Sequence, residues 1–219
     1  IELKEFMPKN DDSNVIQYIA DIARISYGYF DEMEYTKAKD LVKKMLNNGH
    51  SSPFEKVVLL FEVKCPLFIS KQWMRHRTGS YNEISARYTE VKPDFYVPTE
   101  ERFSQFTSTT LDYDSFVSKM ITSCETSYNQ YLDMIRNEIP KEVARSILPY
   151  GMYTTFYFKM DLHNLFHFLK LRLDTHAQYE IREYAKAIIK LISGIDFIWG
   201  ELINMFLEFT GNYDLVEHN

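Results

Sequence analysis

Residues 75 to 88 read RHRTGSYNEISARY and gather three arginines, one histidine, one carboxylate and two serines. Arginine carries a planar fork of N–H donors that stays charged and suits the oxygens of phosphate or carboxylate. The segment therefore reads as a site for an anionic ligand. The plainer alternative is an exposed stretch held in salt bridges, but its only acid is Glu83, so three arginines would share one local partner. Among seven glycines there is no GxGxxG or GxxxxGK pattern, so no glycine-rich loop is available to hold phosphates by backbone amides. Side chains must hold them.

Other residues capable of chemistry fit less well. His163 and His167 stand four apart on an expected helix, a spacing that can chelate zinc. Asn-Leu-Phe between them lacks the glutamate of HExxH and no third soft ligand is nearby, so a packed or cofactor-facing pair is expected and no metal. Cys65 and Cys124 have no neighbouring histidine or arginine to make a thiolate and read as structural. Ser80 and Ser85 lie beside arginines, without a local base or a GxSxG elbow. Ser85 is read as a hydrogen-bonding group for the anion.

These residues need elements to position them. DDSN at 11 to 14 offers helix caps, and Ile16, Ile19, Ala20 and Ala23 follow at helical spacing to about Ser26. A second helix is expected from Thr36 to Asn48, stopped by Gly49. KVVLLFEVKC alternates Val57, Leu59, Phe61 and Val63 inward as a strand. Pro66 suits the first turn of a helix running through PLFISKQWMRHR, which would place Gln72, Arg75 and His76 on one face. Residues 80 to 97 read as extended or looped. A long helix from Asp114 to Glu138, a short one after Pro140 and a strand over 152–160, with Tyr153, Thr155, Tyr157 and Lys159 alternating, come next. Asp161 caps a helix carrying Leu165, Phe166 and Leu169. Thr175 is a candidate cap for a last helical pattern that continues through Gly194 and Gly200. The class is α+β, a mainly helical single domain with a small β-sheet spanning 1–219.

Composition excludes several function classes. Hydrophobic residues at 45% and charged residues at 26% describe a globular chain. Aromatics at 16% suit thick cores, subunit interfaces or the walls around a flat cofactor. A net charge of −6 argues against a nucleic-acid binder, which needs a broad basic surface. Two cysteines without CxxC argue against a zinc knuckle or a disulfide framework. No apolar run reaches the length of a membrane span, and IELKEFMPKNDD lacks a signal-peptide core, so a cytoplasmic location is expected.

RHRTGSYNEISARY closely resembles the signature of the flavin-dependent thymidylate synthases, Arg-His-Arg, seven residues, then Ser, with Arg-Tyr following. Arg75, His76, Arg77, Ser85, Arg87 and Tyr88 fall on it. HSSPFE at 50 to 55, PKEVARSILP at 140 to 149 and FLKLRLDTHAQYEI at 168 to 181 resemble further segments of that family in the same order. One departure is visible: the family often has Asn-x-Arg where this chain has Asp161, Leu162 and His163.

The resemblance implies a homotetramer that uses FAD, NADPH and methylenetetrahydrofolate to convert dUMP into dTMP, with active sites shared between subunits. It implies dUMP positions at Gln72, Arg75, Glu83, Ile84, Ser85, Ala86, Arg87, Arg145 and Arg172. Arg172 would sit against the uracil carbonyl and N3 and act as the catalytic group. Flavin positions are implied at Ser52, Arg75, His76, Arg77, Thr78, Glu83, Asp161, His163 and His167. A nucleotide-binding protein that kept the pocket without the chemistry is the rival class, and an RNA-binding module has the acidic balance against it.

Overall fold

The computed structural model describes residues 1–9, 14–28, 31–106 and 108–215. In chain order they form β1 (Glu2–Met7), α1 (Val15–Arg24), α2 (Tyr35–Asn48), β2 (Val58–Pro66), α3 (Leu67–Trp73), β3 (Ser80–Glu83), α4 (Glu100–Phe103), α5 (Tyr113–Arg136), α6 (Lys141–Ala144), β4 (Tyr153–Asp161), α7 (Leu162–Leu173), α8 (Tyr179–Ser193) and α9 (Phe197–Thr210). The strands hydrogen-bond in the order β1-β2-β4-β3. The class is the expected one, mainly helical with a small sheet. Contacts gather the chain into two compact units, Ile1–Val63 with His76–Tyr81 and Tyr157–Asn219, and Lys64–Arg75 with Asn82–Phe156. No helix among the described residues is long and apolar enough to cross a membrane.

In the first unit, Val57, Leu59, Phe61 and Val63 are fully buried, so the alternation read from the sequence faces the core. β1 pairs antiparallel with β2, setting Leu3 opposite Phe61. On β4, Phe158 and Met160 face the core while Tyr157 and Lys159 are exposed. Of the expected DDSN cap, Asp11, Asp12 and Ser13 lie outside the described residues; the Asn14 side chain accepts from the amides of Ile16 and Gln17 and starts α1. Gly49 ends α2 at φ +68°, a left-handed value that glycine adopts without a Cβ penalty. Asp161 starts α7 as expected, its side chain accepting from Asn164 N. α7 and α9 meet through Phe166 stacked on Phe206, with centroids 4.2 Å apart.

The C-terminal helices depart from the expected pattern. Thr175 caps nothing: the turn is built on Asp174, whose Oδ1 accepts from His176 N at 2.8 Å, and α8 begins at Tyr179. The helix ends at Gly194 instead of running through it. Asp196 then accepts from Trp199 N at 2.9 Å and opens α9, which seats the Trp199 side chain in the core. A cap and a buried tryptophan together outweigh the continued periodicity.

In the second unit, Asp112 caps α5 by accepting from Ser115 N at 2.8 Å. α5 buries Tyr128 and Tyr131 against Ala144 and Met152. Both hydroxyls find backbone partners at Val91: Tyr128 donates to its carbonyl at 2.8 Å, and Tyr131 accepts from its amide at 3.4 Å. This ties the loop after the arginine segment to the helix core. Trp73 of α3 packs edge-on against Phe156, with centroids 5.7 Å apart.

Candidate active site

The arginine segment does not continue α3. That helix ends at Trp73 with Met74 as its C-cap, so Gln72, Arg75 and His76 do not share a helical face. Pro66 closes β2 in extended conformation and does not enter the first turn. The chain turns over His76–Gly79 because the His76 carbonyl takes two donors from ahead of it, Gly79 N at 3.2 Å and the Tyr81 hydroxyl at 2.8 Å. The Tyr81 ring stacks on Phe158 with centroids 5.3 Å apart. A Cβ on Gly79 would lie 2.8 Å from Phe158 Cε2 and 3.0 Å from both Met160 Cε and the Tyr81 hydroxyl. Only glycine fits that approach. Gly79→Ala is expected to cost about 1–3 kcal/mol through overpacking, which melting curves check; Arg77 and Thr78 lie exposed on this turn.

His76, in contrast, is buried at 9% exposure. Its ring meets Phe168 edge-on at 4.7 Å between centroids and lies 6.4 Å from His167. Arg172, in the last turn of α7, donates its Nε–H to His76 Nε2 at 3.1 Å. Burial, then the charges of Arg172 and His167, hold His76 down to a pKa of about 4. Burial also lowers the Arg172 pKa from its ordinary value. The expected catalytic arginine thus stands beside a neutral imidazole, partly shielded from water.

One face of α7 presents His163, Phe166, His167 and Lys170, at i, i+3, i+4 and i+7, to a cavity of about 200 Å3. The HSSPFE segment contributes His50, Ser51 and Phe54 to the same cavity, and α9 contributes Phe206 and Phe209. Ser52 lines a different cavity together with Arg24 and Lys56. Asp161 accepts from Asn164 N at 2.9 Å and from Asn164 Nδ2 at 2.7 Å, so both of its oxygens serve the start of α7. Lys170 joins the sequence-expected histidines here, and its spacing of seven from His163 marks the same helical face. Among the described residues no three His, Cys, Asp or Glu side chains are grouped to hold a metal ion.

The second unit carries the other set. Glu83 accepts from the Thr154 hydroxyl at 2.7 Å, and Ile84 N donates to Thr155 O at 2.9 Å. Ser85 begins a turn: its carbonyl accepts from the amides of Tyr88 and Thr89, both at 3.1 Å, and its hydroxyl accepts from Arg87 N at 3.4 Å. Ala86 lies half-buried within that turn. Arg87 donates from Nε and Nη2 to Glu142 at 3.3 and 3.2 Å, and Arg145 Nε donates to the Glu142 carbonyl at 3.4 Å. Glu142 therefore gathers two of the expected phosphate-binding arginines. The Arg87–Glu142 pair is half exposed, and such pairs are worth only about 0–1 kcal/mol, so a phosphate can take the carboxylate's place at small cost. Gln72 is half-buried on α3 and Arg75 is exposed beyond it. Glu142 and Thr154 were missed: Glu142 is legible three residues before Arg145 on a short helix, whereas Thr154 has no local signal.

The cysteines offer no nucleophile. Both are unpaired. Burial pushes the Cys65 thiol up to about 12 and raises Cys124 as well.

The expected residues thus form two sets, a donor group suited to phosphate and an aromatic cavity with imidazoles beside a shielded guanidinium. Known proteins are similar to this chain over most of its length. A family model described as thymidylate synthase complementing protein matches residues 9–196. Flavin-dependent thymidylate synthase of Thermotoga neapolitana is 40% identical over 169 residues, 77% of this chain and 76% of that protein. The one from Borreliella burgdorferi is 41% identical over 209 residues, 89% of this chain and 76% of that protein. Among solved structures, the UMP/dUMP methylase PolB of Streptomyces cacaoi, bound with 5-Br dUMP, superposes with a TM-score of 0.78 at 27% identity, covering 99% of this chain and 96% of that one. Because the family match runs from before α1 into the turn that precedes α9, and so takes in the arginine turn, the Glu142 helix and the α7 face alike, this chain belongs to the thymidylate synthase complementing protein family, that of the flavin-dependent thymidylate synthases.

Proposed function

We propose that this protein is a flavin-dependent thymidylate synthase that reductively methylates dUMP to dTMP, with methylenetetrahydrofolate as carbon donor and NADPH as reductant. The observation that carries the reading is Arg172, a partly shielded guanidinium held against a neutral histidine from the family's motif. A fixed positive charge at the uracil carbonyl and N3 favours the anionic form of the ring and polarises its C5=C6 bond. Arg75, Arg87, Arg145 and Ser85 bind the nucleotide phosphate, with Gln72, Glu83, Ile84 and Ala86 shaping the site around it. No cysteine is called on for attack at C6, in keeping with the raised Cys65 and Cys124 thiols.

The residues present fit a flavin. The Gly79 position admits no Cβ and presents Arg77 and Thr78 outward, and the α7 cavity combines aromatic walls with imidazoles and a lysine. Ser52, Arg75, His76, Arg77, Thr78, Glu83, His163 and His167 would hold it, while Asp161 acts by starting the helix that carries the two histidines. When bound, FAD supplies the two-electron chemistry that links NADPH to the transferred carbon. The protein's part is orientation and charge.

We further read residues 1–219 as one catalytic domain of a homotetramer, with each active site drawing residues from more than one subunit. Two unpaired cysteines and a nucleotide substrate suit the cytoplasm. His167→Ala should weaken FAD retention by roughly tenfold or more, about 1.4 kcal/mol, and change dUMP affinity less; equal flavin content after gel filtration would remove His167 from the site. The reaction is tested by tritium release from C5-labelled dUMP with and without NADPH and methylenetetrahydrofolate, with UMP as a comparison substrate. No release under complete conditions, with a control enzyme active, sinks the assignment.

A further inference from the structure

We propose that His76 is a positioning residue for Arg172: its Nε2 accepts the Arg172 Nε–H and so sets the plane in which the guanidinium meets the pyrimidine. The proposal rests on the reading of Arg172 as the group at the uracil ring. Arg172 leaves the last turn of α7 on a long side chain whose free rotation would blur its aim. A bond at Nε stops rotation about Cδ–Nε and fixes the direction from which the two terminal nitrogens project. His76 can supply that bond because it is itself fixed at both ends. Its ring is seated on Phe168, and its carbonyl is held by Gly79 N and the Tyr81 hydroxyl.

The chemistry of the pair dictates its protonation. A guanidinium has donors only, so His76 Nε2 must carry a lone pair and the ring proton must sit on Nδ1. A protonated His76 would lose the acceptor and set two cations 3.1 Å apart. Burial and the neighbouring charges keep the ring in the neutral form that the bond needs.

Two substitutions separate this role from simple packing. His76→Phe keeps a ring against Phe168 and deletes the acceptor; His76→Gln keeps an acceptor oxygen near the Nε2 position. On FAD-loaded protein, His76→Phe should lower kcat for dTMP formation about 10²-fold with a much smaller change in KM for dUMP, and His76→Gln should recover part of the loss. In an Arg172→Lys background, which lacks Nε, His76→Phe should add less than about threefold. Losses that multiply in the double variant overturn the proposal.

A second readout does not depend on turnover. In the 15N spectrum of the histidine side chains, the His76 signal, identified by its disappearance in His76→Phe, should show the Nδ1–H tautomer and stay neutral down to about pH 5. Its Nε2 shift should move in Arg172→Lys. An Nε2–H tautomer, or an Nε2 shift indifferent to Arg172→Lys, overturns the proposal even in a protein that makes no dTMP. The expected spectrum from a protein that releases no tritium would instead uphold the pair and fail the assigned reaction.

Discussion

Arg172→Ala is expected to lower dTMP formation by about 10²–10³-fold, the usual cost of deleting one preorganised group at a developing charge, while the protein keeps its flavin. Arg172 is half-buried, so its charge is partly stripped of water and its pKa lowered, and a charge so placed acts more strongly on a substrate than one in solvent. Alanine removes that charge and leaves His76 Nε2 without the donor it has at 3.1 Å. The groups proposed to hold the flavin, on the α7 cavity and on the His76–Gly79 turn, are retained. Flavin absorbance of the purified variant, together with tritium release, separates the two effects. Wild-type turnover in the variant would remove Arg172 from catalysis, and loss of flavin along with activity would move it to cofactor binding.

Phe158→Ala is expected to give the largest loss of stability among single changes near the site, about 3–5 kcal/mol, or a drop in melting temperature of roughly 6–20 °C. Phe158 is fully buried. It touches Phe61 of β2, Tyr81 after the turn and Phe168 of α7, at centroid distances of 6.2, 5.3 and 5.9 Å. It also forms the wall against which Gly79 closes. Truncation would open a cavity under the turn that carries Arg77 and under the ring on which His76 sits, so activity should fall at temperatures where the fold persists. Phe158→Leu, which refills part of the volume, should recover most of the stability. Differential scanning calorimetry of the two variants checks the ordering, and an unchanged melting temperature in Phe158→Ala would contradict this account of the core.

Much of the architecture is legible in short patterns. The inward alternation of Val57 to Val63, the αL glycine after α2 and the carboxylate that starts α7 are local matters: pleat, helix sense and cap chemistry are set within a few residues. The places where reading by pattern fails are those where a distant group changes the local preference. Periodicity carries α3 through Arg75 and His76, yet the chain turns there, because Tyr81, Phe168 and Arg172 offer the histidine a better environment than a helical face would. Likewise the run through Gly194 breaks because Asp196 starts a new helix that seats Trp199 in the core.

By itself, the amino-acid sequence determined which chemistry is available: arginines and serines for phosphate without a glycine-rich loop, no activated thiol, and a motif that identifies the family. Residue types and their spacing along fourteen positions are enough for that, since side-chain charge and hydrogen-bonding capacity are intrinsic. Only the tertiary structure decided how those groups are paired and tuned. It buried His76 while leaving Arg75 and Arg77 exposed, brought Arg172 to it from 96 residues away, and set Glu142 between Arg87 and Arg145. Burial and long-range contact, which no local pattern encodes, make His76 a neutral acceptor and Arg172 a shielded charge.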